Sequence, residues 1–293
     1  RSGGMKKVYP YLFIFPAMTG IVVFVLYPMV KLITQSFYKV NPMNEANSRF
    51  IGLENYTKMF QTAAFKKALV NTGYYALLSV ILIMVIALLL AVWLSGKQDR
   101  FHSFIQGSVF LPHVISMVSI GLIFQQMMDP DFGVFNQVLT ALHLPACTWL
   151  RSSSTAVGSI IFTNVWKSVG YYTLILLAAI QGIPTSIYEA ARLDNAGKLC
   201  IFFKITLPMI SPQIFFTLIV LTIGSFKIFD MIFIMTGGGP NNASTSLVFY
   251  IYSKVFQEFD IGKAAAAGVV LMALVGIMTV FYFVGLSKKV HYQ

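Results

Sequence analysis

The chain of 293 residues is 57% hydrophobic and 11% charged, with a mean hydropathy of +0.75; an average soluble domain carries roughly 25% charged residues. Such a composition excludes an ordinary soluble enzyme and points to lipid as the solvent. A formal net charge of +11 does not argue for nucleic acid, because Lys and Arg stand singly beside apolar runs, where headgroups and one membrane face are their natural partners.

A helix needs about 20 apolar residues to cross roughly 30 Å of hydrocarbon. Runs of that length occur near residues 12–37, 74–94, 104–128, 156–180, 209–235 and 264–286. A spanning segment must satisfy its backbone groups internally, and the weak alternation of a membrane barrel is absent, so the fold class is all-α and polytopic with six transmembrane helices. The first run is too long for a cleavable leader and lacks a following small-residue cleavage site. The chain divides into a cytoplasmic tail (1–8), a first span with its outer loop (9–72) and a five-helix core (73–290).

With the N-terminus cytoplasmic, the inner segments hold Arg1, Lys6, Lys7, Lys97, Arg100, Arg192, Lys198, Lys204, Lys288 and Lys289. The outer loops are together much longer and hold fewer basic residues, although Lys39, Arg49, Lys58, Lys66 and Lys67 crowd the first of them. Because basic residues favour the cytoplasmic side, both termini are expected inside. Cys147 then lies outside and Cys200 inside, where they cannot form a disulfide.

Catalytic signatures are missing. A phosphate-binding loop needs a Gly five residues before Gly-Lys-Ser/Thr, and Gly96-Lys97, Gly197-Lys198 and Gly262-Lys263 fail on both counts. His102, His113, His143 and His291 lack the spacing of a metal site. No cofactor or metal is expected. Thr236-Gly237-Gly238-Gly239-Pro240 reads as a sharp turn at the end of the fifth span, since glycine permits positive φ and proline stops a helix.

Charges inside apolar spans are costly and usually face a bundle interior, which singles out Lys167, Lys227 and Asp230 as candidate pathway residues. Structural roles compete with this: Lys227 and Asp230, three apart, can pair on one helix face, and Lys167 can snorkel. Asn164, Trp166, Tyr171 and Tyr172 on the fourth span suit a sugar, whose hydroxyls need hydrogen bonds and whose C–H faces stack on rings. They serve equally well as packing residues. Ala264 and Gly268, four apart, read as a helix-packing face.

One polar segment interrupts the apolar pattern, YEAARLDNAGKLCIFFKITLPMISP over residues 188–212. Pro184 is suited to start a helix over 186–194, Asn195 and Gly197 to break it, and a second helical piece should run from Lys198 to Pro208. Ala190 and Ala191 offer a thin face, with Glu189, Arg192 and Asp194 beside it, suited to a groove on a soluble partner. A connector resting on headgroups through Phe202, Phe203 and Ile205 fits the residues as well.

The spacing of Glu189-Ala190-Ala191, Asn195, Ile205, Leu207 and Pro208 resembles the EAA motif of permease subunits in binding-protein-dependent ABC importers, with Asn195 where the family has Gly. Further stretches are similar to the carbohydrate-uptake branch: Gly52-Leu53-Glu54-Asn55-Tyr56 with Asn71 and Thr72, Trp166-Lys167 with Gly170, and Phe229-Asp230 with the glycine-rich turn. The resemblance implies a non-catalytic subunit of a bacterial or archaeal cytoplasmic membrane that forms half of a pathway for a sugar or related polar solute. It implies a second homologous permease as heterodimer partner, a cytoplasmic ATPase dimer and an external solute-binding protein. The ATPase-coupling residues it points to are Glu189, Ala190, Ala191, Asp194, Asn195, Gly197, Leu207 and Pro208. The alternatives are an ion-gradient-driven carrier, which expects broken helices and paired intramembrane acids, and a membrane assembly subunit that moves nothing.

Overall fold

The computed structural model describes residues 3–96 and 99–286, and side chains within 11–96 and 99–285. Of the basic residues that orient the chain, Arg1, Lys97, Lys288 and Lys289 lie outside the described residues, as do the side chains of Lys6 and Lys7.

Helices α1 (Gly3–Ile21) and α2 (Tyr27–Gln35) run through a π-turn at Val22–Leu26. A short hairpin of β1 (Tyr38–Lys39) and β2 (Arg49–Phe50) follows, then α3 (Glu54–Gln61) and the long α4 (Ala63–Ser95). The third run forms two helices, α5 (Arg100–Val114) and α6 (Met117–Met127), bent by 96° at the break. Beyond α7 (Val134–Ala141), α8 (Ala156–Gln181) is the fourth span. The polar segment forms α9 (Thr185–Leu193), α10 (Lys198–Ile201), a π-turn at Phe202–Thr206 and α11 (Leu207–Met209). The fifth run is α12 (Ser211–Phe226) and α13 (Asp230–Met235), and α14 (Leu247–Phe256) and α15 (Ile261–Phe281) complete the described chain. Among the described residues, five helical segments are long and apolar enough to cross a membrane, and the bent α5–α6 pair supplies a sixth. The two-residue strands are a minor exception to an otherwise all-α fold.

Two compact units result. The first comprises the chain up to Phe65 and Tyr250–Met272. Its first span is almost wholly exposed along its apolar length, as befits a helix surrounded by lipid or by another chain. The Gly-Leu-Glu-Asn-Tyr stretch has a clear job here: Gly52 adopts φ +59°, and the Asn55 amide donates to the carbonyls of Ser36 (2.8 Å) and Tyr38 (3.0 Å). Gly262 packs against that latch, where an added Cβ would lie 2.4 Å from the Tyr38 oxygen. Ala264 is buried and Gly268 lies against Leu32, as expected of a packing face.

The second unit comprises Lys66–Phe249 and the chain from Ala273. It has two apolar cores. One gathers Tyr75, Ile120, Phe124, Ile160, Met231 and Ile232; the other joins Ala87, Ala91, Leu94, Leu176, Leu177 and Ile210. They sit along α8 near its opposite ends. A helix of that length rises roughly 39 Å at 1.5 Å per residue, so α8 links two distant regions of the unit.

Candidate functional site

Below the second core's end of α8 lies the segment that carries the spaced motif. After Gly182 and Pro184 the chain re-enters helix as α9, which ends in a left-handed residue, Asn195, at φ +55°. The Asn195 N–H donates to the Arg192 carbonyl and the Ala196 N–H to that of Ala191, both at 3.0 Å. This is the double closure that a left-handed residue permits at a helix end, and Asn tolerates that conformation better than most side chains. Gly197 then caps α10, and Leu207 and Pro208 begin α11.

Residues 187, 188 and 191 form the inward face of α9, at the spacing of one helix side. Ile187 and Tyr188 pack on the second core, and the Tyr188 hydroxyl meets that of Thr206 at 3.2 Å. Ala191 is buried, so it does not present the open small-residue face expected from sequence; it lets the helix settle closely on its support. Glu189, Ala190, Arg192, Leu193, Asp194 and Asn195 are exposed. Leu193, at 84% exposed, and Leu199, at 74%, were not singled out by their sequence context, although a leucine beside a charged edge is a signal of contact with another chain.

The intramembrane candidates fall in separate environments. The Asn164 amide donates to Ser79 Oγ at 3.3 Å, and Trp166, partly exposed, lies 5.0 Å from the Phe124 ring. Tyr171 stacks on His113, while Tyr172 meets Tyr171 edge-on and packs into the second core. Lys167 does not snorkel: its ammonium donates to the carbonyls of Pro112 (3.3 Å), His113 (3.0 Å) and Ile115 (2.6 Å) at the bend of the third span. Nor do Lys227 and Asp230 share a helix face. Lys227 closes α12 and Asp230 opens α13 across a break at Ile228 and Phe229, both are exposed, and no ion pair joins them among the described residues.

Beyond the two breaks, α6 and α13 pack together. Gly121 lies against Ile234, and the Gln125 amide donates to the Met235 carbonyl at 3.3 Å. Their ends open on a cavity of about 950 Å³ whose polar wall includes Gln125, Gln126, Asp129, Arg151 and Thr236. Arg151 spans the carboxylates of Asp129 (2.9 Å) and Asp131 (2.6 Å). The backbone N–H groups of Asp131 and Phe132, with Arg151 adding to them, hold the Asp129 carboxyl below the usual carboxylate range. On another side stands the glycine-rich turn, with Gly237 and Gly238 at positive φ and a cis Gly239–Pro240 bond. Residues of α4 pin this turn: the Asn71 amide donates to the Ala243 and Thr245 carbonyls, and Tyr75 Oη to that of Ser244.

A family model described as "binding-protein-dependent transport system inner membrane component" matches residues 70–291. The chain is 38% identical over 272 residues to the probable ABC transporter permease protein YurN of Bacillus subtilis, covering 92% of each. It is 33% identical to the arabinooligosaccharides transport system permease protein AraP of Halalkalibacterium halodurans, over 97% of this chain and 90% of that one. It is 32% identical to the sn-glycerol-3-phosphate transport system permease protein UgpA of Yersinia pestis, over 100% and 99%. Among solved structures it is similar to a chain of a bacterial ABC transporter involved in import of the acidic polysaccharide alginate, with a TM-score of 0.85, 25% identity and coverage of 98% of each chain. A second structure of an alginate transporter, in complex with a periplasmic protein bound to an alginate pentasaccharide, gives a TM-score of 0.83 and covers 95% of this chain and 94% of that one.

Proposed function

The chain belongs to the binding-protein-dependent family of inner-membrane transport components and is a permease subunit of a sugar ABC importer; on that premise we propose that the α9 segment is where a separate ATPase docks. Glu189, Ala190, Ala191, Asp194, Asn195, Gly197, Leu207 and Pro208 form or support the docking element. The observation that carries this reading is the geometry of α9: Ile187, Tyr188 and Ala191 fix it from beneath while Glu189, Ala190, Arg192 and Leu193 are left exposed on its other side.

A short helix with one leucine and a charged edge fits a groove and needs few contacts to hold. Both termini and α9 lie on the cytoplasmic side, and the cavity between α6 and α13 faces an external solute-binding protein. A second homologous permease completes the pathway as a heterodimer, and an ATPase dimer drives it. ATP-driven closure of the ATPases draws the docking elements together and reorients the spans, which alternates access to the solute. The cargo is a carbohydrate or a related polar solute, a reading that its arabinooligosaccharide and sn-glycerol-3-phosphate permease relatives support.

Glu189→Lys tests the docking element. One hydrogen bond to a charged group contributes about 1.5–3 kcal/mol, so reversal of this charge should weaken ATPase association roughly 10- to 150-fold, with membrane insertion and pairing with the second permease intact. Co-purification and ATP-driven uptake in proteoliposomes measure this. Uptake at the unmodified rate with the ATPase fully bound would reduce α9 to a connector.

A further inference from the structure

Lys167, Gly170 and Tyr171 occupy one side of α8, at spacings of three and four residues. All three grip the same stretch of α5. Because a helix leaves its last four carbonyls without intrahelical donors, and lipid offers none, the broken end of a spanning helix needs partners from elsewhere. Lys167 supplies them: an ammonium has three N–H donors, and three carbonyls, those of Pro112, His113 and Ile115, receive them. The residue is only 7% exposed.

One turn along, Gly170 brings backbone against backbone, since a Cβ there would lie 1.8 Å from the Val109 carbonyl oxygen. Next to it, the Tyr171 ring stacks on His113 with centroids 4.4 Å apart and planes 13° from parallel. A polar cap, a close backbone crossing and an aromatic stack thus converge on residues 109–115, immediately before the bend. From Lys167, α8 runs unbroken to Gln181, and α9 begins at Thr185. On the far side of the bend, α6 carries Gln125 and Gln126 to the cavity.

We propose that Lys167, Gly170 and Tyr171 act as a clamp that makes α8 and α5 one rigid body, so that displacement of α9 by the ATPase moves the third-span bend and the cavity wall beyond it. Lys167 is a positioning residue in this scheme. The proposal rests on the reading of α9 as the docking element. It adds the route by which movement there reaches a cavity at the opposite end of α8.

The test uses the assembled transporter in lipid nanodiscs, with Cys147 and Cys200 replaced by Ser and spin labels at Ser103 on α5 and Ala178 on α8, both exposed. The label separation should be the same without nucleotide and with ATP bound. Lys167→Met should make it broaden or change with ATP and lower solute imported per ATP at least tenfold; Lys167→Gln, which keeps two donors, should fall between. A separation that changes with ATP in the unmodified chain overturns the clamp. So does a Lys167→Met transporter with an unmodified ratio of import to hydrolysis. If Lys167→Met does not assemble, Lys167→Gln decides: a lowered ratio supports the clamp and an unmodified ratio overturns it. The label separation does not depend on where the ATPase docks, so failure of the docking reading, seen with Glu189→Lys, is distinguishable from failure of the clamp.

Discussion

At the third-span bend, three carbonyls receive the three donors of a buried lysine, and a stacked ring and a glycine crossing close the joint around them. At the fifth-span break, Ser246 donates to the Ile228 carbonyl at 2.8 Å, while a lysine and an aspartate on either side of the gap stand exposed. The same unit therefore treats two interruptions of the same kind in opposite ways. A break whose polar groups find partners within the chain is a joint. A break that leaves charges uncovered inside an apolar span needs water, a solute or another subunit to complete it, because lipid cannot.

The most damaging way to break this comparison is to open the closed joint. Gly170→Val would drive its side chain into the Val109 carbonyl, at or beyond the upper end of over-packing costs, about 3 kcal/mol. Loss of monodisperse protein on detergent size exclusion is the expected result. Gly158→Ala, on the same helix with no atom within 4 Å of the added Cβ, should behave as the unmodified chain. Equal yields from both variants would mean that α5 and α8 do not depend on their crossing.

At the open break the effect should be functional and smaller. Asp230→Asn and Lys227→Met remove exposed charges, and no ion pair between them is lost. We expect normal assembly and ATP hydrolysis but a KM for solute uptake raised roughly tenfold, the scale of one hydrogen bond to a charged group. Unchanged uptake kinetics in both variants would take these residues out of the pathway.

The breaks themselves were the least legible feature of the sequence. Spans stand out by apolar length, and so does the motif loop, whose turn at Asn195 follows from the tolerance of Asn for positive φ. Neither break carries its own signal. Pro112 lies inside α5, which continues to Val114, and Lys227-Ile228-Phe229 contains neither proline nor glycine. The carbonyls left free there are satisfied by residues 18 or more positions away; no local rule reads such partners. The role of Lys167 was hidden for the same reason, since a lone lysine in an apolar run looks like a snorkelling or solute-facing charge until its acceptors are known. Ala191 shows the converse: small residues were expected to form an open face, but one of the pair is small because it is buried. Broken spans are what an ion-gradient carrier would also show, so they do not separate that reading from an importer. Asp230 is the single acid within a span among the described residues, so the paired intramembrane acids that an ion-gradient carrier expects are missing there, and the chain belongs to a family of binding-protein-dependent transport components.

The smallest expected effect tests whether the Ile228 carbonyl of the open break, held by the Ser246 hydroxyl, is structural. Ser246 is fully buried, and its hydroxyl does two things: it donates to Ile228 and accepts from the Phe249 N–H as the cap of α14. Ser246→Ala removes a helix cap, which costs about 1 kcal/mol, and leaves a buried carbonyl without a donor, which costs about 1–3 kcal/mol. Some of that cost is recovered if water reaches the carbonyl, as an open break allows, so a net loss of about 2 kcal/mol is expected in the unfolding of the solubilised subunit. Solute KM should not move, because Lys227 and Asp230 keep their positions at the ends of α12 and α13, which remain packed on their cores. A shifted KM with unaltered stability would mean that the backbone of the break itself meets the solute, and the distinction between a satisfied carbonyl and uncovered charges would fail.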